Sequence, residues 1–456
     1  MLDKSASGPS SQLSGFSQRG WLHSYQMSRF GDVPFLPTAL SKAEGCRVRD
    51  VDGTWYLDAL SGAYCVNIGY GRQSVLDAAS EAASSIHYVS PFSCTSPQAA
   101  AYSKALTDAL DGFMGPESRI FFVNSGSEAI DAAIKLARAW HFVKGTGHKT
   151  ILSRRGSYHG STFGAATVSD SEFLKQVFGP MMGGAAKFPT SSCHICEFDE
   201  TPDRCGVNCL GIDAPDPAAL LVEAVETCVG TGLTHRDYYR RLRRIADDLG
   251  ALLICDEVIT GFGRTGALFA CEKLNIRPDV LVLAKGITSG YEAMGAIVVR
   301  REVADAFLGD DSKTFFHGAT FGARPGPAAA ALASLDILLD EALPQAAARS
   351  EAIIRCQIEA KLTSRPSIRA FRGTGMLFSV DVDFHEGPAR VHDIELLRQC
   401  IFEQGIINCL YSTKDDGFVD IAPPLICSEG DLEELVEGIS KGFDKWENQR
   451  AKGDSA

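Results

Sequence analysis

The chain has 456 residues, more than one hydrophobic core usually organises, so two or more structural regions are expected. Its 57 acidic residues against 44 basic ones give a net charge of −13. That balance argues against nucleic acid, whose binding draws on clustered positive charge. No stretch approaches the roughly 20 apolar residues of a membrane span, and the opening MLDKSASGPSSQLSG has no signal-peptide core. The 14 cysteines mostly stand singly in apolar runs, as at Cys65, Cys255, Cys271 and Cys400. They suit free thiols of a reducing compartment, which makes the cytoplasm the expected location.

Residues 1–18 lack periodicity and read as a flexible tail. Residues 19–70, with a turn signal at Asp52-Gly53, are expected to pack with a smaller C-terminal domain. Across 71–327 short apolar runs alternate with amphipathic stretches. Strands are expected at Ile120–Val123, Thr150–Ser153, Leu220–Val222, Ala251–Cys255, Val280–Ala284 and Ala296–Val299. Between them, Ala129, Ile130, Ala133, Ile134, Ala137 and Trp140 recur at helical spacing. This alternation predicts an α/β fold with a mostly parallel sheet covered on both faces. From 328 to 456 a smaller α+β domain is expected. A helix at Ala328–Leu339, with a break at Pro344, leads to strands at Ser379–Val382 and Phe418–Ile421 and a closing helix from Asp431 to Trp446.

Three stretches carry chemistry. In FFVNSGSEAIDAAIKLARAW (121–140) a strand ends at Val123 and a helix begins near Ser127. Such a turn offers free amides and a positive helix end to a phosphate. An ordinary strand–turn–helix capped by Ser125 or Ser127 would read the same way. In LLICDEVITGFGRTG (252–266) Asp256 stands at the carboxyl end of a buried strand, where open α/β sheets bind ligands. An acid there can keep a ring nitrogen protonated, although a loop carboxylate is also common. In PDVLVLAKGITSGYEAMGAIVV (278–299) a lone Lys285 ends an uninterrupted apolar strand. Desolvation lowers a lysine's pKa and frees its amine for Schiff-base chemistry; the alternative is a lysine snorkelling from a strand end.

With YHG (158–160) and HGATF (317–321) in order and spacing, these motifs resemble the class III pyridoxal-phosphate-dependent aminotransferases, in particular the ω-amine:pyruvate transaminases. The resemblance runs from GAYCVNIGYGR (62–72) to APPLICSEGDLEELVEGI (422–439). It implies the fold-type-I transferase architecture and pyridoxal 5'-phosphate as cofactor. Lys285 would then be the Schiff-base lysine and general acid/base, Asp256 the partner of the pyridine nitrogen, and Val258 and Tyr158 the residues on its two faces. Gly126 and Ser127 would hold the phosphate, His159 and Glu223 would belong to the cofactor site, and Tyr64 and Phe92 would line the substrate pocket. Thr320 would reach the phosphate of a neighbouring subunit in a homodimer. The implied reaction moves an amino group from a primary amine or ω-amino compound to a keto acid, aldehyde or ketone. A racemase, aminomutase or decarboxylase on the same cofactor is the alternative.

The sequence departs from that pattern in three places. VEPVQG reads VEAVET, so Glu226 stands where a glutamine usually meets the phenolic oxygen; it either points away or retunes the cofactor. GIINCLYSTKDDG holds Cys409 and Lys414 but no carboxylate-gripping arginine. Tyr64 replaces a pocket tryptophan, which leaves room for a bulky or partly polar amine. Separately, Cys193, Cys196, Cys205 and Cys209 form a C-x2-C, C-x3-C pair. Packed thiols are the expected state, with structural zinc or a redox-sensitive or disulfide-linked loop as alternatives.

Overall fold

The computed structural model describes residues 39–198, 200–201, 204–212, 216–384, 389–407, 410–412 and 417–453. The expected tail, Cys409 and Lys414 lie outside the described residues. The first described element is an antiparallel ribbon of β1 (Leu40–Glu44), β2 (Arg47–Asp50) and β3 (Trp55–Asp58). Asp52-Gly53 makes the turn between β2 and β3, and Gly53 supplies the positive φ of 99° that such a turn demands.

The large sheet is built from β4 (Arg119–Val123), β5 (Thr150–Arg154), β6 (Ala185–Phe188), β7 (Pro217–Glu223), β8 (Leu252–Asp256), β9 (Val280–Leu283) and β10 (Gly295–Val299). Their order in the sheet is β4-β10-β9-β8-β7-β5-β6. Only β10 runs against its neighbours, so the sheet is mostly parallel. Alternate residues serve different faces. Leu253, Cys255, Leu281 and Leu283 join one buried cluster, whereas Leu252, Ile254, Val280 and Val282 join another. Both faces are therefore covered, which is why these strands are apolar without interruption. The edge strand β6 (AAKF) carries no such run and escapes a periodicity reading.

Past the large sheet, helices Pro325–Asp340 and Leu343–Lys361 follow one another. Pro344 does not interrupt a helix as expected; it sits in the first turn of the second, where its missing N–H costs nothing. A second antiparallel sheet holds β11 (Ile368–Thr374), β12 (Leu377–Val382), β14 (Leu410–Ser412) and β15 (Gly417–Ile421). Between β12 and β14, helix Ala389–Phe402 leads into the two-residue β13 (Ile406–Ile407). β13 pairs in parallel with β3, so the first ribbon and the C-terminal half share one sheet. The last helix, Glu429–Gly453, buries Trp446, whose indole N–H donates to Asp393 at 2.8 Å.

Candidate active site

Three neighbouring strands deliver the central groups. Glu223 is the last residue of β7 and stands in register with Asp256, the last residue of β8. β9 runs parallel beside β8, and Lys285 lies just beyond its end. Lys285 has a φ of 50°, a left-handed backbone that non-glycine residues rarely take and that tends to mark functional turns. Asp256 and Lys285 line one cavity of about 410 Å³ together with Gly126, Ser127, Tyr158 and Val258. Desolvation holds the Lys285 amine below the ordinary lysine range, although Cys65, Asp256, Cys228 and Glu223 pull it back.

Asp256 is fixed from two sides. The Val258 amide donates to Oδ1 at 2.9 Å, and His159 Nδ1 lies 2.8 Å from Oδ2. His159 is buried, and desolvation lowers its pKa despite the carboxylate beside it. The neutral ring therefore donates its Nδ1–H to Asp256. Glu223 accepts from the Tyr158 amide at 3.1 Å and from the Thr227 amide and hydroxyl at 3.2 and 3.0 Å. Burial, with Asp256 and Glu226 nearby, lifts its carboxyl to about 8, so it carries a proton at neutral pH.

The turn after β4 caps the start of helix Gly126–Val143. Ser125 Oγ accepts the Glu128 amide at 3.2 Å, and the Glu128 carboxylate returns to the Asn124 amide at 2.8 Å. Ser125 is thus the cap, which leaves Gly126 and Ser127 in the first turn, whose amides have no intrahelical acceptor. The stretch is a capped helix whose free end faces the cavity. Gly160 closes the cradle from the YHG side. A methyl group there would lie 2.4 Å from Ser127 Oγ, and its φ is 132°.

The remaining candidates are distributed differently. Glu226 turns away from the cavity and is fully buried beside Arg154, with Nε to Oε1 at 2.9 Å. Thr190 Oγ1, Ser191 Oγ and Ser192 Oγ donate to it at 2.6, 3.0 and 2.5 Å. The Tyr64 ring centroid lies 5.2 Å from Lys285 Nζ, and its hydroxyl donates to Asp420. Phe92 does not line the Lys285 cavity within the chain. It borders a second cavity, of about 310 Å³, with His317, Gly318 and Ala319. Thr320, on the same segment, is exposed. Arg154, Cys65 and Asp420 were not read from the sequence as site residues. Asp420 stands between the apolar Val419 and Ile421, a signal of the same kind that marked Lys285, whereas Arg154, between Ser153 and Arg155, carries no such mark.

Cys193, Cys196, Cys205 and Cys209 form no disulfide and border one small cavity. Among the described residues, no three His, Cys, Asp or Glu side chains are grouped to hold a metal ion.

With this geometry in place, likeness to known proteins is decisive. The family model for class-III aminotransferases matches residues 29–443. This chain belongs to that family. A probable aminotransferase of Mycobacterium tuberculosis is 32% identical over 94% of this chain and 93% of its own length. An omega-aminotransferase of Caulobacter vibrioides is 30% identical over 90% and 96%. The solved structure of an amine transaminase from an uncultivated Pseudomonas species, in its PLP-bound form, superposes with a TM-score of 0.85. It is 26% identical and covers 93% of this chain and 98% of its own. The protein is an enzyme that transfers amino groups, and its cofactor is pyridoxal phosphate. The cavity suits that cofactor: a carboxylate held by a neutral histidine, a free helix end and an amine all line it, and Gly160 leaves no room for a side chain beside Ser127. No helix among the described residues is long and apolar enough to cross a membrane.

Proposed function

We propose that Lys285 is the reacting amine of an ω-transaminase that moves an amino group between a primary amine or ω-amino compound and a keto acid or other carbonyl acceptor. One observation carries this reading: Lys285 and Asp256 face a single cavity from the carboxyl ends of adjacent strands.

Bound pyridoxal phosphate supplies a protonated ring that takes up negative charge developing at the substrate carbon. Asp256, held by His159, would keep the proton on the ring nitrogen. The Gly126 and Ser127 amides and the Ser127 hydroxyl would take the phosphate, in the manner of other helix N-termini. Tyr158 and Val258, which line the same cavity, would flank the ring and exclude water from it. Protonated Glu223 can face the same site without adding a second negative charge to that of Asp256. The Lys285 amine, whose pKa desolvation lowers, would take the proton from the carbon bearing the substrate nitrogen and deliver it to the cofactor carbon that receives that nitrogen.

Phe92 and Thr320 belong to this site in a homodimer, each reaching the cavity of the neighbouring subunit. Support comes from the exposure of Phe92, Phe316 and Phe321, 69%, 93% and 56%, on one chain. The free thiols favour the cytoplasm.

A panel of amines against pyruvate and other keto acids, followed through the absorbance of the bound cofactor, tests the reading. Lys285→Ala should lose about 10³-fold or more in turnover, the scale of a missing acid/base group. Full turnover by that variant would overturn the assignment. Sedimentation of the holoenzyme should give a dimer, and Thr320→Ala should weaken cofactor binding; a stable, active monomer would refute the shared site.

A further inference from the structure

Asp420 lies in the middle of β15, in the sequence GFVDI, where each residue of the strand is buried. A carboxyl in such a place is costly unless it is partnered. Among the described residues no ammonium or guanidinium contacts it. The nearby Arg372 is taken by Asp381 through Nη2–Oδ1 at 2.8 Å. Its partners are hydroxyls instead: Ser379 donates to Oδ1 at 2.5 Å, and Tyr64 donates to Oδ2. Ser379 is in turn held by Thr231, through its amide at 2.8 Å and its hydroxyl at 3.0 Å. The arrangement ends at the reacting group, because the Tyr64 ring stands 5.2 Å from Lys285 Nζ. Tyr64 also takes a left-handed backbone, with φ at 60°, which the hydroxyl anchor helps to hold.

We propose that Asp420 is a positioning residue for amino transfer: it ties down the Tyr64 hydroxyl, so that the ring face rather than the hydroxyl is turned toward the substrate beside Lys285. The consequence is specificity. A tyrosine at this position brings a hydroxyl into the active-site region, yet its proton is already committed to Asp420. The wall beside the reacting carbon is therefore flat and apolar, and it favours amines carrying an aromatic or alkyl group there over amines carrying a hydroxyl. Burial lifts the Asp420 carboxyl to about 7, and either protonation state leaves an oxygen that can accept from Tyr64.

The inference rests on the reading of Lys285 as the reacting amine, and the test separates the two. If no amine in the panel reacts, or Lys285→Ala stays active, that reading fails first. Given an active enzyme, wild type should prefer 1-phenylethylamine to 2-amino-1-propanol in kcat/KM; the opposite preference, or turnover of neither while other amines react, overturns the proposal. Asp420→Ala should lower kcat/KM for the best amine about three- to tenfold, the worth of one hydrogen bond, and narrow that preference. Asp420→Asn keeps an acceptor oxygen and should restore most of the loss. The Tyr64→Phe background discriminates further: Asp420→Ala should add nothing there, because the hydroxyl it anchors is gone. Losses that multiply in the double variant, or an unchanged Asp420→Ala enzyme with a normal melting temperature, would show that Asp420 does not act through Tyr64.

Discussion

The Nε of Arg154 lies 2.9 Å from Oε1 of Glu226, and both side chains are fully buried. Of the two alternatives the sequence left for Glu226, pointing away or retuning the cofactor, the side chain takes the first and does not line the Lys285 cavity. Arg154 adds a contact to the carbonyl of Glu223, so it braces the end of β7. Glu226 therefore acts on the site through the scaffold, and removing its charge strands a buried guanidinium. Glu226→Gln should cost about 3–5 kcal/mol of stability, the range for breaking a buried pair from one side. Urea unfolding of both proteins measures this; equal midpoints would contradict the pairing. Glu226 titrates below the ordinary glutamate range. Its contribution is thus present above the unfolded-state pKa and is lost as pH falls through the folded one, so the gap between the proteins should close in acid.

Glu223 has the opposite sign. Its carboxyl is raised to about 8, so the folded state binds a proton that the unfolded chain has already released at neutral pH. Stability linked to this group is present below the ordinary glutamate pKa and declines as pH rises toward 8. Glu223→Gln should remove that decline, making the cofactor-free variant relatively more stable at pH 8.5 than at pH 5. Parallel pH profiles for the two proteins would count against the shift.

His159 gives Asp256 a charge-assisted hydrogen bond at 2.8 Å from a neutral ring. Its replacement by phenylalanine should weaken pyridoxal phosphate binding about 10- to 100-fold, in line with bonds of this type. His159→Asn, which can still donate, should lose less. Cofactor titration followed by absorbance would show the order; equal losses would mean that ring volume, not the hydrogen bond, matters.

Gly160→Ala should be damaging although it adds a single methyl. The new carbon would meet Ser127 Oγ at 2.4 Å on a backbone with φ of 132°, and strain of this kind costs about 1–3 kcal/mol. Ser127 must move, so cofactor affinity should fall together with the melting temperature. Retained affinity would show that Ser127 does not hold the phosphate.

The sheet was legible because its strands are buried on both faces, so Leu252–Asp256 and Val280–Leu283 read as continuous apolar runs. For the same reason Asp256 and Lys285 stood out as polar ends to those runs. β6 was not legible, since an edge strand of four residues has no need of such a pattern. Position in a motif did not say where Glu226 points: that depends on Arg154, which is remote in sequence and adjacent only once β5 and β7 pair. Phe92 was grouped with Tyr64 from family pattern, yet within one chain it borders the segment of Thr320. Pro344 misled because a proline stops one helix and starts another with equal ease.

The pairing of Leu57 with Ile406 sets a condition on synthesis. A ribosome adds about 5–20 residues per second, so the ribbon at the start of the chain spends tens of seconds without the strand that completes its sheet. Tyr64, a few residues past that ribbon, likewise waits for Asp420. The wall proposed for Tyr64 would thus be among the last parts to assemble, and a chain truncated before β13 would keep the Lys285 strand without the Asp420 that anchors the Tyr64 hydroxyl.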